Sequence, residues 1–192
     1  MGIFLVKSDS NYIYGKPFLY SLFSAPFTRI FNSKGPLILN ALCLSVIFFL
    51  ILKAVNTKTT NIVTAIIFSL VLIICSTLPF YIPTIHPDIF IATLIFLSFY
   101  LLIYGKQKKY IFLSSVLFGL SIYEKLPFGI FAPVYTYITF KKTNLKKTIF
   151  YLAICALTYT IPTLITATQT HTFSSYKGER WYYTIPPFDT KQ

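Results

Sequence analysis

The chain contains six apolar runs whose interiors carry no Asp, Glu, Lys, Arg or His. They cover residues 37–52, 61–80, 89–104, 110–123, 126–140 and 148–168. A helix needs about 20 apolar residues to cross the hydrocarbon core of a bilayer. The second and sixth runs reach that length, and the first and third reach it with flanking residues. The two shorter runs, the fourth and the fifth, are expected to form short, tilted helices or a buried hairpin that does not fully cross.

The overall composition favours a membrane protein over a soluble one. Of the 192 residues, 55% are hydrophobic and only 11% are charged, whereas a soluble domain carries about 25% charged residues. We predict an all-α, polytopic membrane helix bundle of about six transmembrane or partly re-entrant helices over residues 37–168. Residues 1–36 are predicted to be an outward-facing interfacial segment, with a re-entrant piece as the alternative, and residues 169–192 an outward-facing loop.

The charged residues between the runs predict an orientation. Three alternate loops contain nine lysines and no acid: Lys53, Lys58, Lys106, Lys108, Lys109, Lys141, Lys142, Lys146 and Lys147. The intervening loops hold His86 with Asp88, and Glu124 with Lys125. By the positive-inside rule the lysine loops face the cytoplasm and the other two face outward. The net charge of +12 therefore needs no nucleic acid partner to explain it.

Two short polar stretches are candidate sites, each with a purely structural alternative. His86–Pro87–Asp88 opens the third run. It is either a proline-started helix with a favourable acid in its first turn, or the rim of a site for a phosphate-bearing or sugar-bearing ligand. Glu124 and Lys125 form either a solvated turn with a local ion pair, or a site in which the Lys125 ammonium binds a phosphate. The three cysteines have no metal-ligand spacing, and no metal site is predicted.

Two further stretches combine aromatic and basic residues, at positions 12–27 with Lys16 and at positions 175–189 with Arg180. Such stretches suit sugar stacking and phosphate pairing at an outer face. They suit anchoring at the membrane–water interface equally well.

The order of these stretches resembles bacterial membrane glycosyltransferases of the GT-C superfamily. The similar segments are "YGKPFLYSLFSAPF" at 14–27, "GPLILNALC" at 35–43, "HPDIFIATLIFLSFYLL" at 86–102, "FGLSIYEKLP" at 118–127 and "YKGERWYYTIPPFD" at 176–189. The resemblance implies transfer of a sugar, with inversion, from a polyprenyl-phosphate carrier to an acceptor. The transfer would take place on the outer face of the bacterial inner membrane.

The resemblance also implies roles for single residues. Lys125 would hold the lipid phosphate, His86 would lie at the rim of the same site, and Asp88 matches the acidic position of a Pro-acid motif. Lys16 and Arg180 fall in matching stretches without assigned roles. An acid in an outer loop would act as general base, or help to hold a divalent metal ion or the acceptor. The candidates for that acid are Asp88, Glu124 and Asp9.

The chain also departs from the family pattern. Its members carry an earlier span and an acidic outer loop, but Asp9, in "KSDSNYIYG", is the only acid before the first run and does not match that motif. Members also continue with further spans. We therefore expect an internal fragment that is inactive by itself. Two alternatives remain: a non-enzymatic multi-pass subunit, and a transporter of a lipid-linked substrate. The second would need a polar path through six uncharged runs.

Overall fold

The computed structural model describes residues 4–8, 11–14, 17–59, 61–83, 86–170 and 180–182. The chain divides into two compact units, residues 18–159 and residues 1–17 with 160–192. The α-helices are α1 (Leu19–Phe31), α2 (Gly35–Asn56), α3 (Ile62–Ile74), α4 (Asp88–Tyr104), α5 (Lys108–Glu124), α6 (Ala132–Lys142) and α7 (Leu145–Thr170). Each predicted apolar run falls on one of the helices α2 to α7, so the all-α prediction is confirmed for residues 18–159.

The smaller unit contains a short antiparallel sheet that the all-α prediction did not include. Its strands are β1 (Phe4–Ser8), β2 (Asn11–Tyr14) and β3 (Arg180–Tyr182), in the order β2-β1-β3. Leu5 on the central strand pairs with Tyr14 on one side and Trp181 on the other. The predicted outer loop thus contributes a strand, because residues 180–182 complete the backbone hydrogen bonding of β1.

Proline and glycine positions explain where several helices begin and end. The chain enters α4 through Pro87, and Asp88 lies in the first turn of the helix, as one of the two interpretations of this stretch predicts. The fifth apolar run begins as a 3₁₀ helix, Leu126–Phe131, and α6 starts only at Ala132. Pro127 removes a backbone donor there, and Gly129 disfavours regular helix. The α-helical part of this run is therefore shorter than the run itself.

Helix α1 lies within the predicted interfacial segment and packs on the bundle. It turns into α2 at Asn32, whose φ of 53° is a left-handed conformation that asparagine tolerates. Its buried side chains are Leu19, Tyr20 and Ser24. The Tyr20 ring centroid lies 5.9 Å from that of Phe90 at the start of α4. One face of α1 is therefore buried against the bundle, and the outward-facing interfacial position of residues 1–36 stays a prediction.

The helices place the two classes of loop at opposite ends of the larger unit. At one end, the Lys142 ammonium donates to the carbonyl oxygens of Ile103 and Gly105. Lys53 lies 5.9 Å from the ring centroid of Tyr100, near the same end of α4. We call this the lysine end, after the nine loop lysines. We call the other end, where α4 begins and α5 finishes, the Asp88 end.

The middle of the larger unit contains a cluster of hydroxyl groups between α4, α5 and α6. The Ser98 and Ser114 hydroxyl oxygens lie 3.2 Å apart. The Tyr135 hydroxyl lies 3.0 Å from the hydroxyls of both Ser114 and Ser115. All four side chains are fully buried, and the Tyr135 ring stacks on Phe118 at 4.5 Å between centroids. We call these four residues the hydroxyl cluster.

Two helical stretches of the described residues are long and apolar enough to cross a membrane, Leu19–Asn56 and Leu145–Thr168. The first includes the corner at Asn32 between α1 and α2. Ile62–Ile74 and Asp88–Tyr104 are apolar but shorter. Membrane association is weakly supported by length and composition, and the six-helix polytopic arrangement stays a prediction.

Candidate functional site

The two polar stretches singled out in the sequence meet at the Asp88 end. The Lys125 ammonium lies 2.8 Å from Asp88 Oδ1, and His86 Nδ1 lies 2.8 Å from Asp88 Oδ2. Both oxygens of one carboxylate are thus engaged, each by a different partner. The Asp88 side chain is only 17% exposed, whereas those of His86 and Lys125 are 47% and 40% exposed. The cluster therefore presents its nitrogen groups to the surroundings and keeps its carboxylate inside.

Local backbone structure brings Lys125 to Asp88. Helix α5 ends at Glu124, and Lys125 follows with an extended backbone, φ −152° and ψ 96°. The side chains of Glu124 and Lys125 therefore point in different directions although the two residues are adjacent. Lys125 reaches the first turn of α4, while Glu124 points into the protein and is 4% exposed. The interpretation of this stretch as a solvated turn with a local Glu124–Lys125 pair is wrong, because each residue has a different partner.

Glu124 accepts hydrogen bonds from the first turn of α1. Its Oε1 lies 2.9 Å from the backbone nitrogen of Tyr20, and the Leu19 amide also donates to the carboxyl group. The first amides of a helix have no partner within the helix, so Glu124 caps α1 from a distant part of the chain. Burial raises the pKa of Glu124 from 4.5 to about 7, against the opposing effect of the two amides.

A second set of hydrogen bonds fixes the backbone at His86. The fully buried Asn40 of α2 donates from Nδ2 to the His86 carbonyl oxygen at 3.5 Å. The Tyr20 hydroxyl in turn donates to Asn40 Oδ1 at 3.1 Å and to the Pro36 carbonyl oxygen at 3.4 Å. His86 is thereby linked to α1 and α2, as well as to Asp88 on α4. Sequence reasoning missed Asn40, which is the one amide in an otherwise apolar run.

The structure describes the remaining sequence-predicted residues only in part. Lys16 and Asp9 lie outside the described residues. Arg180 is described as backbone at the start of β3, in the other compact unit. The candidate site of the larger unit therefore rests on His86, Asp88, Glu124 and Lys125.

The site does not suit the divalent metal ion that the resemblance implies. Hard divalent cations prefer several oxygen ligands. A cation at Asp88 would have to displace Lys125 or His86 from its carboxylate oxygens. In the part of the chain that the structure describes, no three His, Cys, Asp or Glu side chains come together as a metal-binding group.

No family model, curated protein or solved structure matches this chain.

Proposed function

We propose that this chain is a multi-pass membrane protein of the glycosyltransferase type, whose Asp88 end binds the head group of a polyprenyl-phosphate-linked sugar. The observation that carries the proposal is the ion pair between Lys125 and Asp88. It joins the two stretches, 86–102 and 118–127, that resemble outer-loop motifs of the GT-C superfamily. Lys125 and Asp88 lie 37 positions apart in the sequence, and their contact brings the candidate phosphate ligand together with the candidate acid.

The distribution of side chains supports a lipid environment. Nine of the 13 residues of α3 are large apolar side chains that are exposed. Fully buried positions of the bundle are instead often polar, as at Asn40, Ser69, Ser98 and Thr139. A monomeric soluble protein rarely exposes a large contiguous apolar patch. Small and polar residues between helices, with apolar residues facing outward, are typical of helices packed in a bilayer.

Short helices are compatible with this proposal when they are taken with the 3₁₀ segments that extend them. The 13 residues of α3 are about 20 Å long at 1.5 Å per residue, which is less than the roughly 30 Å of hydrocarbon. The 3₁₀ turn Leu78–Tyr81 follows α3, and Leu126–Phe131 precedes α6. In the proposal these pieces extend the two helices toward the Asp88 end, and local thinning of the bilayer accommodates the remaining mismatch.

The proposal predicts that the Asp88 end faces outward. Pro83 follows the 3₁₀ turn and is exposed, whereas Cys43 and Cys155 are buried. A membrane-impermeant maleimide added to intact cells should therefore label Pro83→Cys in a Cys75→Ser background. As a control, Thr57→Cys in a Cys75→Ser background places an exposed thiol near the lysine end, and it should react only after the cells are permeabilised. Labelling of both positions from the same side would contradict the multi-pass topology.

The chemistry of the Asp88 end suits a phosphate group. The Lys125 ammonium has three N–H donors, and its contact with Asp88 leaves it 40% exposed. The start of α4 adds a positive helix end beside it. Asp88 offsets part of this charge, so the site favours a ligand that also offers hydroxyl groups to the carboxylate and the histidine. A sugar phosphate has both kinds of group.

Replacing Lys125 tests the function directly. Polyprenyl phosphate binding to the chain in zwitterionic lipid nanodiscs should weaken by about 1.5–3 kcal/mol in Lys125→Ala, the range for losing a hydrogen bond to a charged group. This corresponds to roughly 10- to 150-fold in Kd. Lys125→Arg should retain most of the binding, because it keeps the charge and the donors. Lys109→Ala, at the lysine end, is the matched control and should bind like the unmodified chain.

The neutral alcohol polyprenol separates recognition of phosphate from recognition of the isoprenoid tail. The unmodified chain should bind polyprenyl phosphate more tightly than polyprenol, and Lys125→Ala should remove that preference. Equal binding of the two lipids, or equal losses in Lys125→Ala and Lys109→Ala, would refute the proposal in favour of a membrane subunit without this site.

A further inference from the structure

We propose that His86 is the proton acceptor of this site and that Asp88 is a positioning residue that holds the imidazole for the task. This inference rests on the proposed function and deepens it, since it assigns the base for sugar transfer. It also differs from the expectation that an outer-loop acid acts as the base, because Asp88 is assigned the role of orienting His86.

The contacts of Asp88 make it a poor base and a good orienting group. Its Oδ2 lies 2.8 Å from His86 Nδ1, and its Oδ1 lies 2.8 Å from the Lys125 ammonium. The two contacts occupy both carboxylate oxygens, each with a different partner. A carboxylate that accepts from Nδ1–H fixes the tautomer of a neutral imidazole. The lone pair is then left on Nε2, the other ring nitrogen, which is the atom that accepts a proton in a histidine base.

Contacts with three helices hold the His86 residue, and one of them, with Asp88, is made by the imidazole itself. Asn40 of α2 binds the His86 carbonyl oxygen, and Tyr20 of α1 binds Asn40. Asp88 lies in the first turn of α4. The ring centroid of His86 also lies 6.1 Å from that of Tyr81. Despite these contacts the imidazole is 47% exposed, so a ligand can reach it.

Glu124 is a weaker candidate for the same role. Its carboxyl group is 4% exposed and receives the amides of Leu19 and Tyr20 at the start of α1. A ligand would have to displace α1 to reach it. His86 is both the more accessible group and the one held by a carboxylate, which is the arrangement of an oriented base.

The proposed step balances without a metal ion or redox partner. The oxygen of an acceptor hydroxyl forms a bond to the anomeric carbon of the sugar as the bond from that carbon to the phosphate oxygen breaks. The hydroxyl proton passes to His86 Nε2. The electron pair of the broken bond leaves with the polyprenyl phosphate, whose charge Lys125 stabilises. A base on one side and the lysine-bound leaving group on the other also fit an inverting displacement.

The tautomer of His86 is the first test. The chain has two histidines, His86 and His171, so His171→Gln leaves one imidazole to observe by ¹⁵N NMR in nanodiscs. At a pH where the ring is neutral, the chain should show a protonated Nδ1 and an unprotonated Nε2. Asp88→Asn should shift this preference toward the opposite tautomer, as loss of an orienting carboxylate does in a histidine dyad. A protonated Nε2 in the chain with Asp88 intact would overturn the inference.

Proximity to the ligand is the second test and separates this inference from the proposed function. Diethyl pyrocarbonate modifies unprotonated imidazole, and mass spectrometry of the His86 peptide gives the rate. Polyprenyl phosphate at ten times its Kd should slow the modification about elevenfold, in proportion to the unoccupied fraction. Polyprenol at the same concentration should not. Lys125-dependent binding without protection of His86 would overturn the inference alone, whereas absence of polyprenyl phosphate binding would overturn the function and the inference together.

Discussion

Replacement of Gly119 by alanine is expected to destabilise the helix bundle by about 3 kcal/mol or more, at the upper end of the range for overpacking. Gly119 lies on α5 where that helix meets α7. A β-carbon at this position would overlap the Thr158 hydroxyl and the backbone carbonyl of Cys155. The carbonyl belongs to regular helix and cannot rotate away, so the two helices would have to separate.

Gly129→Ala is the matched control. A β-carbon at Gly129 would meet no atom within 4 Å, so the same change of residue should alter stability only slightly. Denaturant-induced unfolding in mixed micelles, followed by circular dichroism, measures both variants. Similar unfolding free energies for Gly119→Ala and Gly129→Ala would show that α5 and α7 do not approach closely.

Stability is expected to fall as the pH rises from about 4.5 to about 7, because of Glu124. Burial raises the pKa of this carboxyl group from 4.5 to about 7, so the folded chain holds a proton over this range that the unfolded chain has released. Its contribution to stability is therefore complete below the lower value and is lost as the pH passes the upper one. A pKa rise of that size corresponds to a contribution of at most about 3 kcal/mol to the free energy of unfolding.

Glu124→Gln isolates this effect from other titrating groups. The glutamine carbonyl oxygen can still accept from the Tyr20 amide but carries no charge. The variant should match the unmodified chain near pH 4.5 and exceed its unfolding free energy above pH 7. Glu124→Ala leaves the amides of Leu19 and Tyr20 without this acceptor and should cost about 1–3 kcal/mol at every pH. A constant difference between the glutamine variant and the unmodified chain across the pH range would show that Glu124 is not buried.

The sequence predicted most of the helical organisation, because long uncharged runs allow few other structures. The run at 89–104 became α4 (Asp88–Tyr104), and the run at 110–123 became α5 (Lys108–Glu124). Predictions were least accurate where proline interrupts an apolar run. The run at 61–80 includes Pro79, and its α-helix already ends at Ile74. Hydrophobicity alone could not locate that end, since α-helix and 3₁₀ turn have the same apolar composition.

The candidate site was only partly predictable. His86 with Asp88 and Glu124 with Lys125 were recognised as polar groups between apolar runs, but 37 positions separate Asp88 from Lys125, and no local pattern specifies that contact. The role of Glu124 was missed because its neighbour Lys125 offered a simpler partner. The two sheet-forming termini were missed because their strands are short, and their pairing joins the beginning of the chain to its end.

The hydroxyl cluster has a mechanical consequence for any movement at the Asp88 end. The Tyr135 hydroxyl contacts two adjacent serines of α5, Ser114 and Ser115, at 3.0 Å each. Sliding α6 along α5 by one residue, or rotating it by the corresponding angle, would break both contacts in a place where no solvent replaces them. Helices α4, α5 and α6 therefore behave as a fixed frame. If the proposed head-group site opens, we expect the movement at α1, which Glu124 holds to that frame by two hydrogen bonds.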